Sequence, residues 1–96
     1  MDIRTFAMAV RMEEIGHRVK LDIGRMADMA EFDSQMCFAD EEDAERHFES
    51  AAQKLREANK LFVEGGADLM IAYAKLGTAT KEDRNVLNNY ARKFLE

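Results

Sequence analysis

The residues of this sequence whose type and spacing most suggest chemistry are Glu14 and His17. A glutamate and a histidine three positions apart lie on one side of an α-helix, and helical-bundle metalloproteins use this spacing to place a carboxylate and an imidazole on one metal ion. Val10 and Leu21, two apolar residues of the same helix side, flank the pair. If this side packed against its own copy around a two-fold axis, two carboxylates and two imidazoles would converge on a divalent ion such as zinc, iron or manganese.

The Glu-x-x-His motif resembles half of the ligand set of the ferritin-like di-metal proteins. Those bundles add a bridging glutamate from another helix and usually a second Glu-x-x-His, whereas this chain has one such motif and no placed carboxylate on its second helix. The alternative interpretation is an ion pair of His17 with Glu13 or Glu14 on the helix surface or at an interface, which contributes about 0.2–0.5 kcal/mol. We therefore predict no cofactor, and we keep a divalent metal bound by Glu14 and His17 as the alternative.

A second pair of motifs is similar to the magnesium-binding helices of all-α nucleotide pyrophosphohydrolases of the MazG type. That family uses Glu-x-x-Glu on one helix and Glu-x-x-Asp on the next; here Glu42 and Glu45 match the first motif, and Asp68 before an apolar run resembles the second. The position three before Asp68 is Gly65, with Glu64 one step too early. The resemblance implies a pyrophosphohydrolase-like enzyme as a further alternative, and we assign no catalytic residue from it.

The composition indicates one small acidic domain. Ninety-six residues carry a formal net charge of −5 without a basic face, so we expect no nucleic-acid partner. The single cysteine, Cys37, has no internal disulfide partner, which suits a reducing compartment. The sequence has no uninterrupted run of about 18 apolar residues, and its N-terminus lacks the pattern of a signal peptide. We therefore predict a cytoplasmic protein without a membrane partner.

Residue composition also predicts an all-α fold. The chain has no proline, only five glycines, and no alternating run of β-branched residues that would indicate a strand. The predicted architecture is an antiparallel hairpin of two long helices plus a shorter C-terminal helix. The apolar periodicity and the breaks between periodic segments place the three helices at residues 2–32, 40–76 and 81–95.

Polar residues and glycines set the predicted helix ends. Asp40 is the expected N-cap of the second helix, Gly77 its expected C′ residue, and Thr80 the expected N-cap of the third helix. The adjacent Gly65 and Gly66 are compatible with either a kink or a turn within the second helix. Because its apolar stripe continues in phase across both glycines, we favour one long helix in which Gly66 marks a close helix–helix approach.

The first helix has apolar residues on two faces, which predicts self-association. One stripe, expected to pack on the second helix, consists of Met8, Met12, Ile15, Val19, Ile23, Met26 and Ala30. The other consists of Ile3, Phe6, Val10 and Leu21, and it must be covered by the C-terminal helix, by another subunit or by both. A helix over residues 40–76 would be about 55 Å long and would extend past a compact domain of this size. We therefore predict a homodimer or higher homo-oligomer with Ile3, Phe6, Val10 and Leu21 at its interface.

These observations favour a non-catalytic function. We expect a small interaction or regulatory module that binds itself and acts on another protein. Its small size, its acidity and the lack of familiar motifs would suit an accessory protein of a phage or mobile element. The alternative is a helical bundle that binds a metal or small ligand through Glu14 and His17.

Overall fold

The computed structural model describes all residues from 1 to 96, and it is entirely helical. Its elements are α1 (Ile3–Gln35), α2 (Glu42–Ala74) and α3 (Lys81–Leu95), in that order and without a strand. The prediction of an all-α chain with three helices is confirmed. The third helix has the predicted bounds, whereas the first begins one residue later than predicted and continues three residues past its predicted end. In the last turn of this helix the hydroxyl of Ser34 donates a hydrogen bond to the carbonyl of Glu31.

Local capping explains where α1 and α3 begin. The carboxylate of Asp2 accepts a hydrogen bond from the backbone N–H of Arg4 at 2.8 Å. At α3, Thr80 Oγ1 accepts from the N–H of Asp83 at 3.1 Å, and the Asp83 carboxylate accepts from the N–H of Thr80 at 2.9 Å. This reciprocal capping box satisfies two backbone donors that a helix start otherwise leaves free.

The predicted ends of α2 are wrong in two details. The helix begins at Glu42 with Glu41 as its N-cap, one residue after the predicted Asp40, and no side chain caps it. Glu41 Oε1 instead accepts the backbone N–H of Phe38 at 2.8 Å, which holds the preceding loop. At its C-terminal end α2 stops at Ala74 with Lys75 as the C-cap. No glycine has a positive φ, so Gly77 does not form the expected left-handed C′ position.

The second helix is continuous across Gly65 and Gly66. It spans 33 residues, which excludes a turn at the paired glycines and confirms the long helix, although it is shorter at both ends than predicted. The molecule is correspondingly elongated, with extents of 60 × 17 × 16 Å. Its radius of gyration is 18.0 Å, whereas a compact chain of this length would have about 12.5 Å.

Small residues form the contact between α1 and α2. The buried residues of α1 are Ala9, Gly16, Ala27, Ala30 and Ser34, and those of α2 are Ala52, Ala67, Met70 and Ala74. Many of them follow a three-and-four spacing that repeats every seven residues, which is the pattern of helices that pack side by side. Because short side chains occupy this contact, it buries little apolar area, and large side chains lie beside it.

The core is concentrated where α3 folds back. This helix packs mainly against α2 and touches α1 at fewer points. The buried cluster contains Ala9, Ala67, Met70, Ala74, Leu87, Ala91 and Phe94, so it draws on all three helices. None of the three helices contains an apolar segment that could span a lipid bilayer.

Candidate interaction surface

A shallow apolar groove lies on the side of the helical hairpin that faces away from α3. Its volume is about 400 Å³. The groove walls are formed by Met12, Ile15 and Val19 of α1 and by Leu61, Phe62 and Leu69 of α2. Three glycines, Gly16, Gly65 and Gly66, and the ring of Phe94 complete its lining. We call the groove, together with Met8 and Met26 beyond it along α1, the open face.

The large side chains at the rim of this groove are exposed to solvent. Ile15 is 55% exposed, Leu61 69% and Leu69 40%. Met8 and Met26 continue the exposed apolar surface along α1, and Phe48 and Leu76 continue it along α2. Single exposed apolar residues are ordinary, but a contiguous row of them on one face is typical of a binding surface.

The ring of Phe94 explains two of the glycines. A Cβ atom built on Gly16 or on Gly66 would lie 2.4 Å from this ring, so a larger residue at either position requires the Phe94 ring to move. The ring also contacts Phe62 edge-on, with a centroid distance of 6.4 Å. The predicted close approach at Gly66 therefore exists, but its partner is a side chain of α3 rather than another helix backbone.

Gly65 has no such partner within the chain. A Cβ atom at this position would meet nothing within 4 Å. Glycine in a helix interior costs about 1 kcal/mol relative to alanine, and no contact inside the chain compensates for that cost. Gly65 instead opens the groove between Leu61 and Leu69, one helical turn to either side.

Charged residues of opposite sign border the open face. On α1, Arg4, Arg11, Arg18 and Arg25 are spaced seven residues apart and form a basic edge beside Met8 and Ile15. On α2, Glu57, Glu64 and Asp68 lie around Leu61 and form an acidic edge. Among these residues only Arg25 has an ion pair within the chain, with Asp22 at 3.5 Å. Apart from Arg25, the charged residues of the two edges have no ion pair within the chain.

The predicted metal residues lie outside the groove. Glu14 and His17 are both exposed on α1. His17 lines a separate shallow depression with Glu13, Lys20, Leu21, Lys93 and Glu96, and Glu14 does not contribute to it. No set of three or more histidine, cysteine or acidic side chains lies close enough to hold a metal ion. The hypothesis requires the ligands of a second copy, and it stays a prediction.

The predicted oligomer interface lies on the other side of α1 from Ile15. Ile3 and Leu21 are exposed, whereas Phe6 and Val10 are half-buried. Leu21 lines the same depression as the C-terminal end of α3. This side is therefore partly occupied by the chain itself, and its role in assembly stays a prediction.

Several members of the predicted core stripe are exposed instead. The stripe from Met8 to Ala30 was expected to pack on the second helix, yet Met8, Ile15 and Met26 are exposed. Met12, Val19 and Ile23 are half-buried, and only Ala30 is buried. The sequence feature that indicates the open face is the set of glycines Gly16, Gly65 and Gly66. A groove between large side chains requires residues without side chains at its floor.

The residues that resemble the pyrophosphohydrolase motifs all lie on α2. Glu45 and Asp68 are 23 residues apart on one continuous helix, a separation of about 35 Å. A single chain therefore does not bring the two carboxylate motifs onto one magnesium ion.

Two polar sites lie toward the turn between α1 and α2, which we call the hairpin tip. Arg56 contacts Asp28 at 3.3 Å and also Glu31, and these hydrogen bonds, with that to Glu31 the stronger, raise the pKa of the guanidinium. Cys37 donates to the carbonyl of Asp33 at 3.4 Å. Desolvation, followed by the nearby charges of Glu41, Glu45 and Asp33, raises the pKa of its thiol. The raised pKa values keep the Arg56 guanidinium protonated and the Cys37 thiol protonated. Cys37 is therefore not a reactive thiolate.

Comparison with known proteins assigns no family to the chain. No protein-family model matches the sequence, and neither a curated protein nor a solved structure shows significant similarity to it. The groove, its glycines and its charged edges are therefore the features from which a function can be inferred.

Proposed function

We propose that this chain is a non-catalytic interaction module that binds a second copy of itself through the open face. The observation that carries the proposal is its accessible surface, 7097 Å² for 11.0 kDa. A compact monomer of that mass exposes about 5,600 Å², which leaves an excess of about 1,500 Å². A stable interface removes about 800 Å² from each partner. The excess is therefore large enough to supply one.

The chemical character of the open face supports the same proposal. Its central residues are large and apolar, and charged residues are confined to its edges, which is the arrangement of an interface core with a polar rim. The two helices that form it would pair with two from the second copy, giving a four-helix bundle. In that bundle the exposed side chains of Ile15, Leu61 and Leu69 become core residues.

Sedimentation equilibrium between 1 and 100 μM tests the proposal. We expect a mass of twice 11.0 kDa for the wild-type chain. Ile15→Glu should shift the equilibrium to monomer without loss of helicity, because Ile15 is exposed in the single chain and its replacement leaves no cavity. The matched control is Ile3→Glu, the same substitution on the opposite side of the same helix, where the side chain is 85% exposed.

Each outcome of this comparison has a clear meaning. If Ile15→Glu dissociates the dimer and Ile3→Glu does not, the open face is the interface. The reverse result would assign the interface to Ile3, Phe6, Val10 and Leu21, as the sequence predicts, and would overturn the proposal. A wild-type chain that remains monomeric at 100 μM would also overturn it.

A further inference from the structure

We propose that the two copies dock with their hairpin tips at the same end of the dimer. The basic edge of each copy then lies against the acidic edge of the other. This inference rests on the proposed function, because it describes how the same open face is used. It specifies which helices meet and which charges pair, neither of which follows from self-association alone.

Two symmetric arrangements are available to a face of this shape. A two-fold axis along the length of the hairpin places both tips at one end and packs α1 of each copy on α2 of the other. A two-fold axis across the hairpin places the tips at opposite ends and packs α1 on α1 and α2 on α2. We call these the aligned and the opposed arrangement. Both are closed and self-complementary, as homodimer interfaces generally are.

The position of Phe94 fixes which residues of the two helices are level with each other. Because its ring contacts both Gly16 and Gly66, these glycines lie at the same height along the hairpin. Arg25 is nine residues from Gly16 toward the tip, and Glu57 is nine residues from Gly66 toward the tip. The two residues are therefore level.

The remaining edge charges follow the same correspondence. Asp68 is two residues from Gly66 away from the tip, so its height falls between Arg11 and Arg18. The next charge on the α2 edge toward the tip is Lys54, which lies beyond the last arginine of the series. Glu64 is level with Arg18, since each lies two residues from its glycine toward the tip. The acidic edge is therefore level with the tipward part of the basic edge, from between Arg11 and Arg18 to Arg25, and the basic edge continues past it to Arg4.

Charge complementarity favours the aligned arrangement. With α1 on α2, Arg25 faces Glu57 and Arg18 faces Glu64 of the second copy, whose Asp68 lies between Arg11 and Arg18. With α1 on α1, the arginines of both copies lie along one shared edge, and on the other edge Glu64 and Asp68 face each other. Such edge charges contribute little affinity, but like charges placed opposite each other select against an arrangement.

The apolar part of the face fits the aligned arrangement as well. Ile15 of one copy then lies over the segment of α2 where Gly65 leaves open space between Leu61 and Leu69. A branched side chain over a position without a side chain is the geometry of knobs-into-holes packing. The acidic tips share one end in this dimer, and because they are exposed, their repulsion is screened over about 8 Å at physiological salt.

The single native cysteine allows a direct test. Cys37 is 21 residues from Gly16, so it lies about 32 Å from the height of the groove. A spin label on Cys37, measured by pulsed dipolar spectroscopy at a concentration where the dimer forms, should give a distance below about 30 Å in the aligned dimer. The opposed dimer, centred on the groove, would give about 63 Å.

The same measurement separates failure of this inference from failure of the proposed function. A distance near 60 Å would overturn the aligned arrangement and leave self-association intact. Absence of any intermolecular dipolar signal, together with a monomeric mass, would overturn both. If the label on half-buried Cys37 disturbs the chain, Ala39→Cys with Cys37→Ser places the label on an exposed residue at the same end.

Charge reversal gives an independent test on unlabelled protein. Arg18→Glu and Glu64→Arg should each weaken self-association about tenfold at low ionic strength, because these two residues are level with each other and each change creates a like-charge pair in the aligned dimer. The double variant should return to within about threefold of wild type, since the pair is restored with exchanged signs. Arg84→Glu on α3, an exposed residue away from the open face, is the matched control and should have no effect. Unchanged or tighter association of Arg18→Glu would overturn the inference.

Discussion

The two halves of the helical hairpin differ in what they bury. In the half where α3 folds back, Met70, Leu87 and Phe94 are almost completely buried. In the half toward the tip, the buried residues are Ala27, Ala30, Ser34 and Ala52, while Phe32, Met36 and Phe38 are exposed. The difference shows that two helices in close contact bury only their short side chains. A third element is needed before large side chains leave solvent.

Replacing an aromatic residue in each half gives the largest contrast that this comparison predicts. Phe94→Ala should destabilise the chain by about 3–5 kcal/mol, because it removes a large buried side chain and leaves a cavity between two glycines. Phe38→Ala should change the free energy of unfolding by less than about 0.5 kcal/mol, since Phe38 is 74% exposed. Urea denaturation measures both values. Similar losses of unfolding free energy at the two positions would mean that the tip is buried by contacts that the single chain does not contain.

The paired glycines provide a contrast within one helix. Gly66→Leu should destabilise by at least about 1–3 kcal/mol, because even the first added carbon would lie 2.4 Å from the Phe94 ring. Gly65→Ala should be neutral or should stabilise the single chain by up to about 1 kcal/mol, since its Cβ meets open space. Thermal denaturation at low protein concentration, where monomer predominates, isolates these effects. A clear loss of stability in Gly65→Ala would contradict the continuous helix.

The start of α3 should make the covered half sensitive to acid. The hydrogen bond from the backbone N–H of Thr80 lowers the pKa of Asp83 below its ordinary 3.8, and the N-terminal ammonium of Met1, 3.1 Å from its Oδ2, acts in the same direction. A carboxyl group with a lowered pKa in the folded state stabilises the chain fully above its ordinary pKa and loses this contribution as the pH falls through the lowered value.

The corresponding variants are Thr80→Ala and Asp83→Asn. Thr80→Ala should cost about 1 kcal/mol through loss of the cap. Asp83→Asn should lower the melting temperature at pH 6, and the difference from wild type should shrink as the pH falls from 4 toward 2. An undiminished difference at pH 2 would show that the carboxylate charge is not the cause.

The metal hypothesis concerns a side of α1 that neither half buries. If a second copy brings two Glu14 and two His17 side chains together, zinc, manganese or iron should raise the melting temperature in proportion to site occupancy. The effect should fade at acidic pH, because a protonated imidazole does not bind metal. Glu14→Gln and His17→Ala should each abolish it. The ion-pair interpretation instead predicts no metal by elemental analysis and a change of less than about 0.5 kcal/mol in His17→Ala.

The sequence was sufficient where local interactions decide the structure. The bounds of α3 follow from Thr80 and Asp83 at one end and from Arg92 and Lys93 at the other, which match the helix dipole. Continuity of α2 followed from a stripe that keeps its phase across Gly65 and Gly66. The N-cap of α2 was displaced by one residue because the carboxylate of Glu41 binds the loop instead of the helix start.

The packing face of α1 could not be predicted in the same way. Apolar periodicity points toward the largest side chains, such as Met8, Ile15 and Met26, whereas close contact between two helices selects the smallest ones, such as Ala9 and Gly16. Which side α3 covers depends on where the Phe94 ring fits, and that is a relation between distant segments. The open face became recognisable only when both helices and their glycines were placed together.

The Phe94 ring has a consequence for the behaviour of the whole chain in solution. It belongs to α3, yet Phe94 also contributes to the lining of the groove where a second copy would bind. Occupation of the groove and attachment of α3 therefore share one side chain, and any free energy that couples them acts equally in both directions. The backbone amides of α3 should exchange with deuterium more slowly as protein concentration rises, although α3 itself lies on the opposite side of the hairpin. Self-association would then be measurable as increased order in a helix that the second copy contacts only through Phe94.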